Sequence, residues 1–575
     1  MQIDRARASL VSSWLAGSWL ACAALACSSS SKHDPGDGPL IDGGTPLADA
    51  ASASDARASD GGPLPGNPSG LDSGLTAMVP QVCAPTGGGP FWLVEGSLVS
   101  VTLSCQTGRA AAPGAFSIDS LPTGAVFDAS TATLTWTPTL SQGAVYELTV
   151  RASPWNETGT VKIGVADKFD DPANVPVVDP TKYTEEMGLP VVHLQVDPGI
   201  SDDAYTPATV LYRGHTYEST QAQYRGTFSK SFPKRSYTLK FTKTDKFNEP
   251  VGAGGFHDKR KITLISPFND NSYVRSRTVF DLWNAMDPQH IQVKSYSAVV
   301  FLNGVYWGLY TVMDHVDQYL MEDFGLSQDG NLFKAREHDA NYRLTAEHGE
   351  MKATLHQGYS KEDGLPVDGD PGAYDDLDAL VQWVATSDST TFLSQIDTKL
   401  VRKEYEDWFL LVSYLMCNDS IDKNSYHYHD PALPQSLWHY IPWDMDESLG
   451  QDFATERTSA TSSAPESGKY SMMNHLFERI LAEPSLGGPL RQRYTAMLHG
   501  GAFDSASILA RFDATAAEVR LSALRDESKW GQQYRNFGPW KMYRDATNDL
   551  LTHDQEVQYV RKWITDRYTY VDTMY

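Results

Sequence analysis

The chain has 575 residues, with 47 Lys and Arg against 72 Asp and Glu for a formal net charge of −25. That length leaves room for two or three domains, and so acidic a balance argues against a nucleic-acid surface. Five cysteines, none in a C-x-x-C pair, give no zinc knuckle.

Arg5 and Arg7 precede an apolar run over residues 15–26, too short to cross a bilayer, so residues 1–27 read as an export signal. Its end, A-A-L-A-C-S-S-S-S, resembles a bacterial lipoprotein signal. The resemblance implies acylation at Cys27 and membrane contact through a lipid anchor only. Ala24 stands where Leu is usual, which leaves plain secretion to the envelope or medium open.

Residues 28–76 are Gly, Pro, Ser, Ala and Asp with almost no aromatics, a composition that cannot bury enough apolar surface to offset ordering entropy. A flexible linker is expected there. Residues 77–167 alternate short β-type runs with turns, the pattern of a β-sandwich. Cys83 and Cys105 flank its early part, and a disulfide between them is open in an exported protein. The run L-P-T-G-A-V-F-D-A-S-T-A-T-L-T-W-T-P resembles the immunoglobulin-like repeats of bacterial surface proteins. No cluster of aromatics marks a binding face, so a spacer is the plainer reading than a glycan- or protein-binding module.

The next domain is expected over residues 185–575. Within Y-R-G-T-F-S-K-S-F-P-K-R-S-Y-T-L-K-F, Tyr237, Leu239 and Phe241 alternate with Thr238 and Lys240 as a half-buried strand, after a turn at Arg225-Gly226-Thr227. Gly252-Ala253-Gly254-Gly255 lacks a following Lys-Ser/Thr and reads as a surface turn. K-I-T-L-I-S-P-F-N-D-N-S-Y-V-R-S-R-T-V-F-D-L-W pairs a strand with a helix, and Asn303-Gly304 joins two apolar strands as a hairpin.

The most informative stretch is 401–450. Val401, Tyr405, Trp408, Phe409, Val412, Leu415 and Met416 recur at helical spacing. A polar loop N-D-S-I-D-K-N, a hairpin and the acidic P-W-D-M-D-E follow. Cys417, at the end of the helix, is expected to be a buried, inert thiol. Asp419 lies five positions before Asn424, a layout in which an Asp can orient and deprotonate a hydroxyl while an amide oxygen and later carboxylates hold Mg²⁺. On spacing alone an Asp/Asn-rich turn is the plainer reading of that loop. His427 and His429 share a strand face and leave zinc ligation with Asp444 as a rival.

W-F-L-L-V-S-Y-L, N-D-S-I-D-K-N and W-H-Y-I-P-W-D-M-D-E-S-L-G resemble the core of the spore coat protein H (CotH) kinase family, in blocks that keep their order across residues 185–575. The resemblance implies an α+β chain in which an atypical protein-kinase-like, two-lobed domain follows the all-β immunoglobulin-like sandwich. It implies transfer of the γ-phosphate of ATP to protein Ser/Thr with Mg²⁺ or Mn²⁺, the acceptor protein being unspecified. Asp419 takes the catalytic position, and Asn424, Asp444 and Asp446 the metal. Lys240, Lys234 and Arg225 take the phosphates. Arg275 is a structural or phosphate-facing contact, and Asp314 and Val316 line the nucleotide pocket after the hairpin. Residues 454–468 fall where kinases carry an activation segment, and their composition predicts disorder; helices are expected from residue 472 on. A surface adhesin or scaffold that keeps the fold without the chemistry is the alternative.

Overall fold

A computed structural model of the protein describes residues 75–79, 88–105, 115–153, 157–170, 178–196, 199–249, 255–542 and 551–575. The expected signal with Cys27, all but the end of the linker, Cys83 and most of the Gly252–Gly255 turn lie outside them, as does the side chain of Cys105. No helix among the described residues is long and apolar enough to cross a membrane.

The first module is a sandwich of two four-stranded sheets. One orders β1 (Leu75–Val79), β3 (Val99–Cys105), β6 (Thr133–Trp136) and β5 (Val126–Asp128). The other orders β2 (Gly88–Val94), β8 (Glu157–Ala166), β7 (Ala144–Ala152) and β4 (Phe116–Ile118). Strict alternation in β7 buries Leu148, Val150 and Ala152 and turns Glu147, Thr149 and Arg151 outward, the period-2 signature of a sheet wet on one face. Trp136, Val101, Ile163 and Val165 fill the core between the sheets.

The sandwich is seated on the rest of the chain. Asp167, just past β8, donates its N–H to the Tyr183 hydroxyl at 3.1 Å, and Lys162 pairs with Glu185 at 2.8 Å. Arg525 pairs with Glu186 at 3.0 Å and with Asp167 at 3.7 Å, all three buried. These buried charges fix the module to the rest of the chain, which leaves the spacer reading as it stands.

The second module opens with an eight-stranded sheet ordered β11 (Thr206–Tyr212), β12 (His215–Arg225), β13 (Ser236–Lys240), β16 (Lys261–Ile265), β18 (Val305–Asp314), β17 (Ser295–Leu302), β10 (Leu189–Val196) and β9 (Glu185–Glu186). Because β10 also pairs with β11, seven of these strands close on themselves. Tyr237, Leu239, Ile262, Leu264, Val300, Tyr310 and Val312 pack in one core, and Val191, Val299, Phe301, Leu309 and Met313 in another. Asn303 and Gly304 both sit at positive φ, as a two-residue hairpin turn requires. A small ribbon, β14 (Phe247–Glu249) with β15 (Phe256–Lys259), flanks this sheet in sequence.

A second, antiparallel sheet orders β20 (Tyr359–Asp363), β19 (Asn331–Ala335), β21 (Ser425–His429) and β22 (His439–Pro442). Helices α1 (Arg275–Met286), α2 (Gln318–Asp323), α3 (Asp375–Thr386), α4 (Ser389–Lys399), α5 (Arg402–Leu415), α6 (Gly468–Ser471), α7 (His475–Ala482), α8 (Pro484–Leu498), α9 (Ser505–Asn536) and α10 (His553–Asp572) complete the body. Trp408 of α5 stacks on Tyr440 of β22 with ring centroids 4.0 Å apart, which fixes the helix against the sheet that carries the site.

Residues 454–468, expected to be disordered, are folded. Arg567 of α10, fully buried, donates to the carbonyls of Ala460 and Ser463 at 2.9 and 2.6 Å, and to those of Ser413 and Tyr414. One distant guanidinium thus satisfies a polar segment whose own composition shows no reason to order.

Candidate active site

The site begins where α5 stops. Met416 takes the left-handed conformation (φ 55°, ψ 47°) and the next N–H, that of Cys417, returns to the Val412 carbonyl at 3.0 Å, a close typical of helix ends. The chain tightens into a 3-10 turn at Asn418–Ser420, held by the Trp408 indole N–H on the Ser420 carbonyl at 3.0 Å. Cys417 is buried, and burial pushes its thiol up, so it behaves as an apolar filler.

Asp419 and Asn424 meet. The Asn424 amide donates to Asp419 Oδ2 at 2.7 Å and to the Asp419 carbonyl at 3.1 Å, while Lys423 Nζ lies 2.7 Å from Asp419 Oδ1. Asn424 is itself pinned between two strands, its N–H on the Ala335 carbonyl and its carbonyl accepting from Trp443 N–H. Asn424 and Asp444 are both at positive φ (54° and 57°), where Asn and Asp are the best-tolerated side chains after Gly. Such strained backbone persists only where surrounding contacts over-determine it, and it clusters at functional sites.

Asp444 is exposed, whereas Asp446 is drawn in and accepts from the Asn269 amide. Burial, then the charges of Asp444 and Asp419, push the Asp446 carboxyl up to about 8. Burial and the charges of Asp419, Asp446 and Asp452 push Glu447 well above the ordinary range, and its Oε2 is buried without a hydrogen-bond partner. Burial, with Asp444 adding to it, raises Asp419 as well. Five carboxylates therefore lie within one another's field.

They do not converge to a coordination shell: among the described residues no group of three His, Cys, Asp or Glu side chains is placed to hold a metal. The oxygens of Asp419 are turned to Lys423 and Asn424, and that of Asp446 to Asn269, so an ammonium and two amides sit where positive charge is wanted. The crowding of like charge and the orphaned Glu447 oxygen fit a hard divalent cation, whose preferred donors are such oxygens.

Across from the carboxylates stand cations from two different sheets. Arg225, at the end of β12, lies over the Trp443 ring at 4.8 Å, and its Nη1 is buried without a partner. Lys334 of β19 approaches the Tyr426 ring at 5.4 Å. Burial lowers the pKa of both, opposed by the charges of Glu362 and Asp444. Lys334 belongs to this cluster although no motif assigns it a role. Lys240 ends β13 half-buried, with its ammonium 5.6 Å from the Tyr205 ring, and Tyr205 in turn feels Arg225 and Lys261.

Other expected residues lie elsewhere. Lys234 is fully buried and bonded to Asp526 of α9 at 2.5 Å and to the Leu309 carbonyl at 2.6 Å, so its ammonium is engaged away from the carboxylates. Arg275 is buried between Asp270 and Glu556, each at 2.5 Å, and donates to the Ser448 carbonyl; its part is structural. Asp314 is held by Lys259 and the Lys294 N–H, and Val316 lies in the apolar core. The alternate residues His315 and Asp317 are the ones in the field of Arg225 and Lys261. His427 is enclosed by Tyr342, Tyr405 and Ser425, and burial lowers it to about 3, while His429 pairs with Asp376 at 2.9 Å. The two imidazoles are bound separately, which removes the support for a zinc pair.

The family model described as CotH kinase protein matches residues 222–571, more than half of the chain. The chain belongs to the CotH kinase family. A second model, described as "Putative Ig domain", matches residues 92–165, so an immunoglobulin-like module precedes the CotH domain. A comparison with individually curated proteins returns no match. The CotH match opens three residues before Arg225 and closes in α10, so it takes in all the carboxylates and cations just described.

A divalent cation held by Asp446 would bind with a pH dependence set by that raised carboxyl. Its folded pKa of about 8 lies above the ordinary aspartate value of 3.8, so the native state holds the extra proton between those values and stability falls as pH rises through that window. A divalent cation at that carboxylate would take the deprotonated form. Mg²⁺ or Mn²⁺ is therefore expected to raise the melting temperature more at pH 8 than at pH 6, as differential scanning fluorimetry at both pH values would read. Equal shifts at the two pH values would contradict this.

Proposed function

We propose that this CotH-family protein is an exported atypical kinase that transfers the γ-phosphate of ATP to a Ser or Thr hydroxyl of a surface or secreted protein. The observation that carries the reading is the joined Asp419–Asn424 pair in one electrostatic field with Asp444 and Asp446, facing Arg225 and Lys334 from the strands opposite. Nucleotide lies between a β-rich lobe and a helical lobe, with its phosphates toward Arg225, Lys334 and Lys240.

Asp419 orients the acceptor hydroxyl. Asn424, Asp444 and Asp446 are the side chains that would hold Mg²⁺ or Mn²⁺, with Glu447 behind them. A bound divalent ion neutralises the phosphate oxygens as charge shifts during transfer. Arg225 and Lys334 need no rearrangement of charge to receive an anion, because burial already disfavours their bare positive charges and a phosphate relieves that cost. Anchoring through an acylated Cys27, with residues 28–76 as a tether, would hold the enzyme at the cell envelope.

The scaffold reading draws on one observation, that the carboxylates are not gathered as a metal shell. MgATP separates the two. A ligand that binds only the native state stabilises it by mass action, so saturating MgATP is expected to raise the melting temperature by on the order of a few degrees and to label the protein or an added acceptor from γ-³²P-ATP. Neither shift nor label at millimolar nucleotide would leave the scaffold.

A further inference from the structure

The loop after β19 places an imidazole beside Asp419. His338 Nδ1 lies 2.8 Å from Asp422 Oδ1, and Asp422 is 3% exposed. An ionised carboxylate only accepts, so Nδ1 carries the hydrogen and the neutral ring is left with its lone pair on Nε2. Nε2 lies 3.7 Å from Asp419 Oδ1, beyond hydrogen-bond reach, and makes no hydrogen bond among the described residues. The His338 side chain is about one-quarter exposed, so that edge is open to an incoming group.

This is the arrangement of a general base: a buried acid fixes tautomer and ring orientation, and the far nitrogen faces the reacting position. Asp419 is differently placed. One of its oxygens accepts from the Lys423 ammonium and the other from the Asn424 amide, contacts that hold its direction and satisfy its charge.

Resting on the phosphotransfer reading above, we propose that His338, oriented by Asp422, is the catalytic base, and that Asp419 positions the acceptor hydroxyl without taking its proton. The acceptor O–H passes its proton to His338 Nε2 while an oxygen electron pair forms the bond to the γ-phosphorus. The bond from that phosphorus to the β,γ-bridging oxygen breaks, ADP leaves with its electron pair, and the imidazolium returns the proton to solvent. Partial burial works against the charged ring, but the bond to Asp422 and the Asp419 carboxylate outweigh it and hold the His338 pKa above its ordinary value, a stronger base than free imidazole. Lys423 opposes them.

The test uses the full chain, γ-³²P-ATP and casein as acceptor, with phosphate release to water read in parallel. His338→Ala is expected to lower kcat by about 10²–10⁴-fold, with the KM for MgATP changed no more than about threefold, and added imidazole should restore at least tenfold of the loss. Asp422→Asn, which keeps the shape but removes the orienting charge, should lower kcat with the nucleotide-induced thermal shift intact. His338→Ala at the wild-type rate overturns the assignment, and so does a loss that imidazole does not restore. Wild-type protein that neither transfers nor releases phosphate, and takes no thermal shift from MgATP, overturns the kinase reading itself.

Discussion

Replacing Lys234 by methionine is expected to cost about 3–5 kcal/mol of stability, the usual penalty for stranding a buried charge. The ammonium is fully buried and makes bonds of 2.5 Å to Asp526 and 2.6 Å to the Leu309 carbonyl, with the Tyr310 ring 4.9 Å away. Asp526 also accepts from the Leu309 N–H at 2.6 Å and the Tyr273 hydroxyl at 3.0 Å. Removing the cation leaves that carboxylate with two neutral donors and, as countercharge, only the Lys529 ammonium in its field but not bonded to it. There is no slack for relaxation: a Cβ added to Gly308, at φ +140°, would come 2.2 Å from Asp526 Oδ2 and 3.0 Å from the Lys234 stem. Urea unfolding of Lys234→Met, of Asp526→Leu and of the double variant would measure the coupling. The double variant should recover much of the loss, because replacing both members of a buried pair by apolar groups is far milder than breaking it. A single variant within about 1 kcal/mol of wild type would show that the pair contributes little.

The largest effect on activity is expected at Asp444. Asp444→Asn keeps a residue that tolerates the left-handed backbone at φ 57°, so the substitution removes charge and little else. Phosphate transfer should fall on the order of 10²–10³-fold, as when one charged ligand of the cation that would neutralise the reacting phosphate is lost. Stability should change little, since Asp444 is exposed and its charge both pushes against Asp446 and supports Arg225 and Lys334. Single-turnover transfer with a parallel melting curve reads both. Transfer at the wild-type rate would remove Asp444 from the machinery.

How much of this was readable in the residues depends on how local each feature is. The helix over 402–415, the Asn303–Gly304 hairpin and the strand at 236–240 rest on short-range periodicity and turn chemistry, and all three stand where the pattern puts them, though the strand is buried on both faces, Thr238 included, rather than half-buried. The Asp419–Asn424 contact is likewise local, five residues apart in one loop. Lys234 and Lys240 show the limit. They lie six positions apart in one motif, yet Lys234 meets an acid 292 residues later, and nothing in its neighbourhood signals that. His338 and Asp422 are 84 residues apart, so their pairing is a product of the β19–β21 register rather than of any spacing. At the strand exit after β18 the phase decides: Asp314 and Val316 turn to Lys259 and the apolar core, and His315 and Asp317 to the side of Lys261, a parity that charge content alone does not set. The 32-residue α9 lies in a stretch where long polar runs hide its apolar stripe.

Arg525 and Asp526 are consecutive on that helix and serve different masters. The first grips the β-sandwich through Glu186 and Asp167, the second grips the closed sheet through Lys234 and Leu309. A single peptide link therefore joins the footings of both modules. Strain arriving at the sandwich from outside can pass along that one helix into the framework from which Arg225 and the neighbouring strands are hung.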